Sequence, residues 1–108
     1  RHAEAEPHLR RAAEHYSDRA VVQENLAIVS LNLGRHAEAI AQFRELLKAR
    51  PRQAQTHYHL GVALHHAGKN AEAIRQFQAT LELKPGHAAA GAALAMLREQ
   101  TAQSGTAP

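Results

Sequence analysis

The amino-acid sequence predicts an all-α protein, a right-handed superhelix of antiparallel helix pairs known as an α-solenoid. The first observation is a pentapeptide that recurs every 34 residues, as RHAEA at 1–5, RHAEA at 35–39 and KNAEA at 69–73. A fixed period of this size is typical of one supersecondary unit that is stacked on itself. The second observation is that apolar residues between these markers follow the three- and four-residue spacing of amphipathic helices. The third is that Gly or Pro follows most of these segments, where a helix would end.

The first half of the chain contains three predicted helices. A helix over residues 3–16 corresponds to the second half of a unit, and Pro7 is expected to fray its start because proline lacks a backbone N–H. Ser17 and Asp18 then supply an N-cap for a second helix over 20–33. Gly34 ends that helix, and a third helix over 37–49 stops before Pro51.

The second half repeats this pattern. We expect a helix over 56–67, a turn at Gly68, a helix over 71–83, a break at Pro85 and a capping helix from 88 to about 100. Residues 101–108, which are rich in small and polar side chains, are predicted to form a flexible tail. The predicted domain therefore covers residues 1–100, as a half repeat (1–19), two repeats (20–53 and 54–87) and a capping helix (88–100).

Composition excludes several classes of protein. The 108 residues are 44% hydrophobic but only 4% aromatic, so the core must be built mainly from Ala and Leu. The absence of cysteine excludes disulfides and thiolate metal sites and leaves cytoplasm and periplasm equally open. No apolar run reaches the roughly 18 residues of a membrane span, so no membrane insertion of this fragment is expected. Because the chain starts with Arg in the middle of a unit, we also expect it to be a piece of a longer protein.

The residues of the two units resemble the tetratricopeptide repeat, which places characteristic large and small side chains at fixed positions of a 34-residue unit. The resemblance covers residues 1–100, and half units at either end agree at Ala5, Ala12 and Leu94. One departure is His57, which stands where the family has Trp. The matching residues of the two full units are Leu26, Ala39, Phe43 and Pro51, and Leu60, Gly61, Ala73, Phe77 and Pro85.

The resemblance implies a concave groove that binds an extended peptide or a helix of a partner protein. In this family the groove is lined by the first helix of each pair. Carried onto this sequence, the implied lining is apolar with imidazole and amide groups. The candidate partner-binding residues are Val21, Glu24, Asn25, Ile28, Gln55, Tyr58, His59, Val62, His65, His66 and Met96.

Two known subclasses of the family are not expected here. One grips chaperone C-terminal carboxylates with Lys, Arg and Asn, because a carboxylate needs charged donors to replace its water. Only Asn25 matches that set, and neither Lys nor Arg falls on the lining, so we predict no carboxylate clamp. The other subclass, the repeat arm of O-linked N-acetylglucosamine transferases, has a ladder of Asn residues. Asn25 occupies one rung, but His59 and Ala93 follow it.

The nine histidines raise the question of a metal site, since imidazole is a common metal ligand. No two of them lie four residues apart on one helix face, and His59 and His66 are about 10.5 Å apart along a helix. We therefore predict no metal and no cofactor. Imidazoles at 59, 65 and 66 are expected instead to make ligand affinity depend on pH between roughly 5 and 7.5.

Other chemistry finds little support in the sequence. Glu4, Glu38 and Glu72 recur with the repeat in the first turn of a helix, where negative charge complements the helix dipole, so we interpret them as structural. No nucleophile motif or phosphate-binding loop can be assembled, so we predict no catalytic residues and no enzyme. Nucleic acid is not an expected partner, because the basic segment 44–52 includes Glu45 and has no interleaved aromatic residue.

The sequence therefore predicts a non-catalytic protein–protein interaction module that binds a peptide segment or helix of a partner. The alternative is a substrate-presenting arm of a larger enzyme, such as a glycosyltransferase or sulfotransferase. The sequence before residue 1 and after residue 108 would discriminate between the two. Self-association through the exposed ends of the solenoid is a further expectation, and the N-terminal end is predicted to be the more exposed.

Overall fold

The computed structural model describes the backbone of residues 7–105 and the side chains of residues 19–102. Five helices make up this part of the chain: α1 (Pro7–Asn32), α2 (His36–Ala49), α3 (Ala54–His66), α4 (Asn70–Leu83) and α5 (Ala88–Gly105). Each helix packs against the next one along the chain, and α1 also contacts α3. The architecture is the predicted all-α solenoid of antiparallel helix pairs.

The turns within the two helix pairs are built in the same way. Gly34 and Gly68 have φ angles of 80° and 82°, a left-handed conformation that glycine adopts without steric cost. The amide of Arg35 donates to the carbonyl of Ser30 at 2.8 Å and that of Gly34 to Leu31 at 3.0 Å, which is the hydrogen-bond pattern of a Schellman motif. The same pattern recurs 34 residues later. Both glycines therefore end a helix as the sequence predicts.

The core lies between the helices and is made of the repeat's large and small apolar residues. Phe43 and Phe77 are fully buried, and Leu64 and Leu97 are buried beside them. Gly61 allows α3 and α4 to approach closely, because a Cβ at this position would lie 2.7 Å from the ring of Phe77. Phe43, Phe77 and Gly61, three of the residues that match the repeat, thus lie where neighbouring helices meet.

Helix α1 departs from the prediction, since the separate helices over 3–16 and 20–33 are wrong. The helix runs without a break from residue 7 to residue 32, and Ser17 and Asp18 lie inside it rather than capping a new helix. The repeat itself supplies the reason. Pro51 and Pro85 occupy one repeat position and follow a helix end, whereas the same position in the first unit holds Ser17, which keeps its backbone donor. The expected fraying before Pro7 concerns residues outside those described.

Helix α5 also differs from the prediction, because it continues to Gly105 rather than ending near residue 100. The segment 101–104 contains no Gly or Pro that would stop a helix at residue 100. The flexible tail over 101–108 stays a prediction. Residues 106–108 lie outside the described part of the chain. The domain boundaries placed at residues 19, 53, 87 and 100 stay predictions.

No helix between residues 7 and 105 is both long enough and apolar enough to cross a membrane. Helix α1 has 26 residues and is about 39 Å long, so its length alone would suffice. Its sequence, however, carries charged residues along most of that length.

Candidate partner-binding groove

The predicted lining residues lie on α1, α3 and α5, the first helices of successive pairs. Each of their side chains is exposed or half-buried, so all of them are accessible to a partner. Ile28, Tyr58 and Val62 combine this accessibility with packing against the buried core. They therefore form the apolar floor of the surface, while the polar residues stand beside them.

A hydrogen-bonded network joins α1 to α3 on this surface. The carboxylate of Glu24 accepts from the hydroxyl of Thr56 at 3.0 Å and faces Nδ1 of His59 at 3.2 Å. If Nδ1 carries the proton, Nε2 of His59 is an acceptor, and it lies 3.5 Å from the amide nitrogen of Gln55. The ring of His59 also stacks on Phe43, with a distance of 5.7 Å between ring centroids. The carboxylate and the imidazole are thus held in place from two helices.

A second set of contacts joins α3 to the start of α5. The ring of His87 accepts the amide of Ala90 at Nδ1 (3.1 Å) and donates from Nε2 to the side-chain oxygen of Gln55 (2.9 Å). His87 therefore satisfies one of the free amides at the start of α5. The ring of Tyr58 lies 4.9 Å from that of His87 and 5.7 Å from that of Phe77. Tyr58 is consequently anchored between the core and the surface.

The remaining histidines of α3 form a separate group near the other end of the helix. Nδ1 of His65 lies 3.0 Å from the side-chain oxygen of Asn70, to which it donates. The ring of His66 stacks on that of His36 at 5.5 Å. Because seven residues separate His59 from His66, the two groups are about 10.5 Å apart along α3. Val62 lies between them.

Three of the predicted residues belong neither to these groups nor to the apolar floor. Val21 borders a cleft between α1 and the end of α2, together with Arg50 and Gln53. Asn25 is exposed on α1, and Met96 is 41% exposed on α5. The structure therefore concentrates the predicted site on α3, with Glu24 and Ile28 as the contributions of α1.

Sequence reasoning missed two residues that hold the lining side chains in place, Thr56 and His87. Thr56 is a buried polar residue at a repeat position where Val22 and Ala90 are apolar, and this contrast was visible in the sequence. His87 directly precedes α5, so its position as a cap was also readable. Its distances to Tyr58 and Gln55 depend on tertiary packing and could not be read from the sequence.

Several of the other charged residues pair with one another. Arg44 of the basic segment pairs with Glu72 at 2.9 Å, and Lys48 pairs with Glu45 at 3.1 Å. Glu38 and Glu72 lie in the first turns of α2 and α4 as predicted, while Glu4 lies outside the described residues. In the described part of the chain, no three His, Asp or Glu side chains lie close enough together to hold a metal ion.

Comparison with known proteins gives a family and a fold. The family model of the tetratricopeptide repeat matches residues 1–50 and 24–88. Among solved structures, a point mutant of MamA is similar, with a TM-score of 0.71 and 27% sequence identity over 79% of this chain. The similarity spans 62% of the MamA chain, so this chain corresponds to less than two thirds of that protein's length. A search of curated proteins finds no match.

Proposed function

Since the chain belongs to the tetratricopeptide repeat family, we propose that the surface formed by α1, α3 and α5 binds a peptide segment or a helix of a partner protein. The repeat and the MamA-like fold support a protein-interaction module in general. The more specific proposal is that the partner binds within this groove, and the side chains on the surface support it.

The observation that carries the proposal is the continuous chain of contacts from Glu24 through His59 and Gln55 to His87 and Tyr58. It ties together two helices and the residue that precedes α5. Side chains that are already held by neighbours lose little conformational entropy when a ligand binds, which favours affinity. All five remain at least partly accessible.

The chemistry of this surface indicates what kind of segment it would accept. Tyr58 and Val62 offer an aromatic ring and an aliphatic patch for an apolar side chain of the ligand. Glu24, Gln55 and the imidazoles offer hydrogen-bonding groups around them. The proposed lining contains neither Lys nor Arg, so an acidic peptide terminus would find no charged donor. We therefore propose a neutral or basic segment with an apolar anchor.

Selection from a displayed random-peptide library, followed by isothermal titration calorimetry, tests this assignment. Peptides selected on the wild-type chain should lose at least about tenfold in affinity, or about 1.4 kcal/mol, on the Tyr58→Ala and His59→Ala variants. Because Tyr58 packs near Phe77, Tyr58→Phe is the companion variant that keeps the ring and isolates the hydroxyl. Circular dichroism establishes that each variant is folded.

Arg75→Ala is the matched control, since Arg75 is exposed on α4 and outside the proposed groove. It should leave affinity unchanged. Equal losses in the control and the groove variants, or no loss in the groove variants, would place the binding surface elsewhere. Titration with peptides that end in acidic residues is expected to give no binding, and micromolar affinity for them would contradict the absence of a carboxylate clamp.

A further inference from the structure

A cleft opens beside the candidate groove, where α1, the end of α2 and the start of α3 meet. Its volume is about 160 Å³, and Val21 and Glu24 of the predicted lining form part of its wall. Leu46 of α2 adds an apolar surface, and Arg50 and Gln53, which are exposed to solvent, complete the polar side. We refer to this space as the α1–α2 cleft.

The second repeat unit shows which side chains stand at the equivalent place. Tyr58 and His87 follow Glu24 and Gln53 by 34 residues and so occupy the same repeat positions. The rings of Tyr58 and His87 lie 4.9 Å apart, and the ring of Tyr58 also lies 5.7 Å from that of the buried Phe77. The second unit therefore fills this place with two aromatic rings of its own.

The first unit has no aromatic side chain at either position. The carboxylate of Glu24 is drawn toward α3 by its contacts with Thr56 and His59, and the side chain of Gln53 does not cap that helix. The α1–α2 cleft therefore lies open at the place where the second unit packs a ring. Its volume is sufficient for one ring, since a cavity of about 150 Å³ in another protein holds benzene.

We propose that the α1–α2 cleft binds an aromatic side chain of the ligand segment, and that tyrosine is the side chain it prefers. This inference rests on the proposed function, because it names an anchor residue of the segment that the groove binds. The ring packs against Val21 and Leu46, in the way that Tyr58 packs within the second unit. It provides a second anchor beside the apolar one at Tyr58 and Val62.

The charges of the cleft favour an uncharged polar ring over other side chains. Glu24 and Arg50 carry opposite charges on the same cleft, so a carboxylate would be repelled by the first and an ammonium group by the second. A phenol is uncharged, and its hydroxyl is able to donate to the Glu24 carboxylate. Its face is also able to stack on the guanidinium of Arg50. An aliphatic side chain would use neither polar group.

Titration of the isotope-labelled wild-type chain with p-cresol, the analogue of the tyrosine side chain, tests the cleft by NMR. A ligand this small should bind saturably, with a dissociation constant on the order of 1 mM. Nuclear Overhauser contacts should join the ring protons of p-cresol to the methyl groups of both Val21 and Leu46. The absence of saturable contacts, or contacts to Leu26 or Val62 without those two residues, overturns the proposal.

Three variants then separate a filled cleft from a damaged one, with the amide spectrum of each reporting that it is folded. Glu24→Tyr gives the first unit the residue of the second and should weaken p-cresol binding at least about tenfold. Glu24→Ala loses the same hydrogen bonds to Thr56 and His59 but adds no ring, so it should bind p-cresol at least about tenfold more tightly than Glu24→Tyr. Arg75→Tyr, which adds a tyrosine at an exposed position of α4, should bind like the wild type. Equal affinities of the two Glu24 variants overturn the proposal.

Peptides selected on the wild-type chain distinguish a failure of the cleft from a failure of the groove. They should contain an aromatic residue whose replacement by Ala lowers affinity at least about tenfold, and Glu24→Tyr should abolish that difference. Peptides that depend on Tyr58 and His59 but lose nothing by this replacement would uphold the groove and overturn the cleft as an anchor. Peptides that are insensitive to Tyr58 and His59 would overturn the groove, while the contacts of p-cresol decide the cleft independently of any peptide.

Discussion

Helices α1 and α3 stand in the same register of the repeat, yet their equivalent residues have opposite environments. Leu26 is 54% exposed and Leu60 is 2% exposed, although both are the leucine that the repeat places at this position. Helix α3 packs against both α2 and α4, whereas α1 packs mainly against α2 among the described helices, with a smaller contact to α3. The repeat thus sets which face of a helix is apolar, while the neighbouring unit decides whether that face is buried.

The connections before the two helices differ in a corresponding way. Before α3, the chain turns at Pro51, and the ring of His57 donates from Nε2 to the Pro51 carbonyl at 2.8 Å while Nδ1 contacts Gln76 at 2.7 Å. In the first unit Ser17 replaces the proline and Gln23 replaces the histidine. Gln42, which corresponds to Gln76, is left with a buried side-chain oxygen that has no partner among the described residues. A turn between units thus depends on more than the apolar pattern.

The largest loss of stability should come from removing the buried phenylalanine that both repeat units contain. Phe43→Ala and Phe77→Ala each remove a fully buried ring and should lower the free energy of unfolding by roughly 3 to 5 kcal/mol. Chemical denaturation measures both. Similar losses would show that α2 and α4 are equally well packed against their neighbours. A loss of under about 1 kcal/mol for Phe43→Ala alone would show that the first unit is only loosely packed.

The difference in burial between α1 and α3 is tested most directly by substituting the leucine that occupies the same repeat position in both helices. Leu60→Ala should cost about 2 to 5 kcal/mol, because it opens a cavity among α2, α3 and α4. Leu26→Ala should cost less than about 1 kcal/mol when unfolding is measured in dilute, monomeric protein, since more than half of that side chain already contacts solvent. Equal costs would contradict the exposure of α1.

Close packing within the second unit predicts an intermediate effect. Gly61→Ala should cost about 1 to 3 kcal/mol, because the new methyl group would lie 2.7 Å from Phe77 and force the ring to move. At the same repeat position the first unit has Ala27, which is fully buried, so that unit accommodates a methyl group there. Thermal unfolding of Gly61→Ala measures the cost, and an unchanged or raised stability would show that α3 and α4 can separate freely.

The smallest effect is expected where the two units are joined at the surface. Glu72→Gln removes the ion pair with Arg44, which links α2 to α4, and both side chains are more than a third exposed. The loss in stability should be below about 1 kcal/mol and should shrink with added salt. Denaturation at low and high ionic strength checks this, and a larger, salt-independent loss would assign the pair a structural role beyond the surface.

Much of the molecule follows from the sequence, because a 34-residue period and helical spacing are local properties. The positions of α2, α3 and α4, their glycine turns and their buried phenylalanines were all predictable in this way. The candidate groove residues were predictable only as a set of accessible positions. The bond between Glu24 and His59 joins residues 35 apart in sequence, and nothing in their spacing indicated it.

The sequence by itself therefore determined the fold class and the apolar face of every repeat helix, since both depend on interactions within a few residues. Only the tertiary structure decided which of those faces is buried, that α1 runs on past Ser17, and that Thr56 and His87 support the candidate groove. These outcomes depend on whether a neighbouring helix is present to compete for the same surface. Burial of an apolar face is a property of two helices, and the pattern along one helix specifies only its own half of that contact.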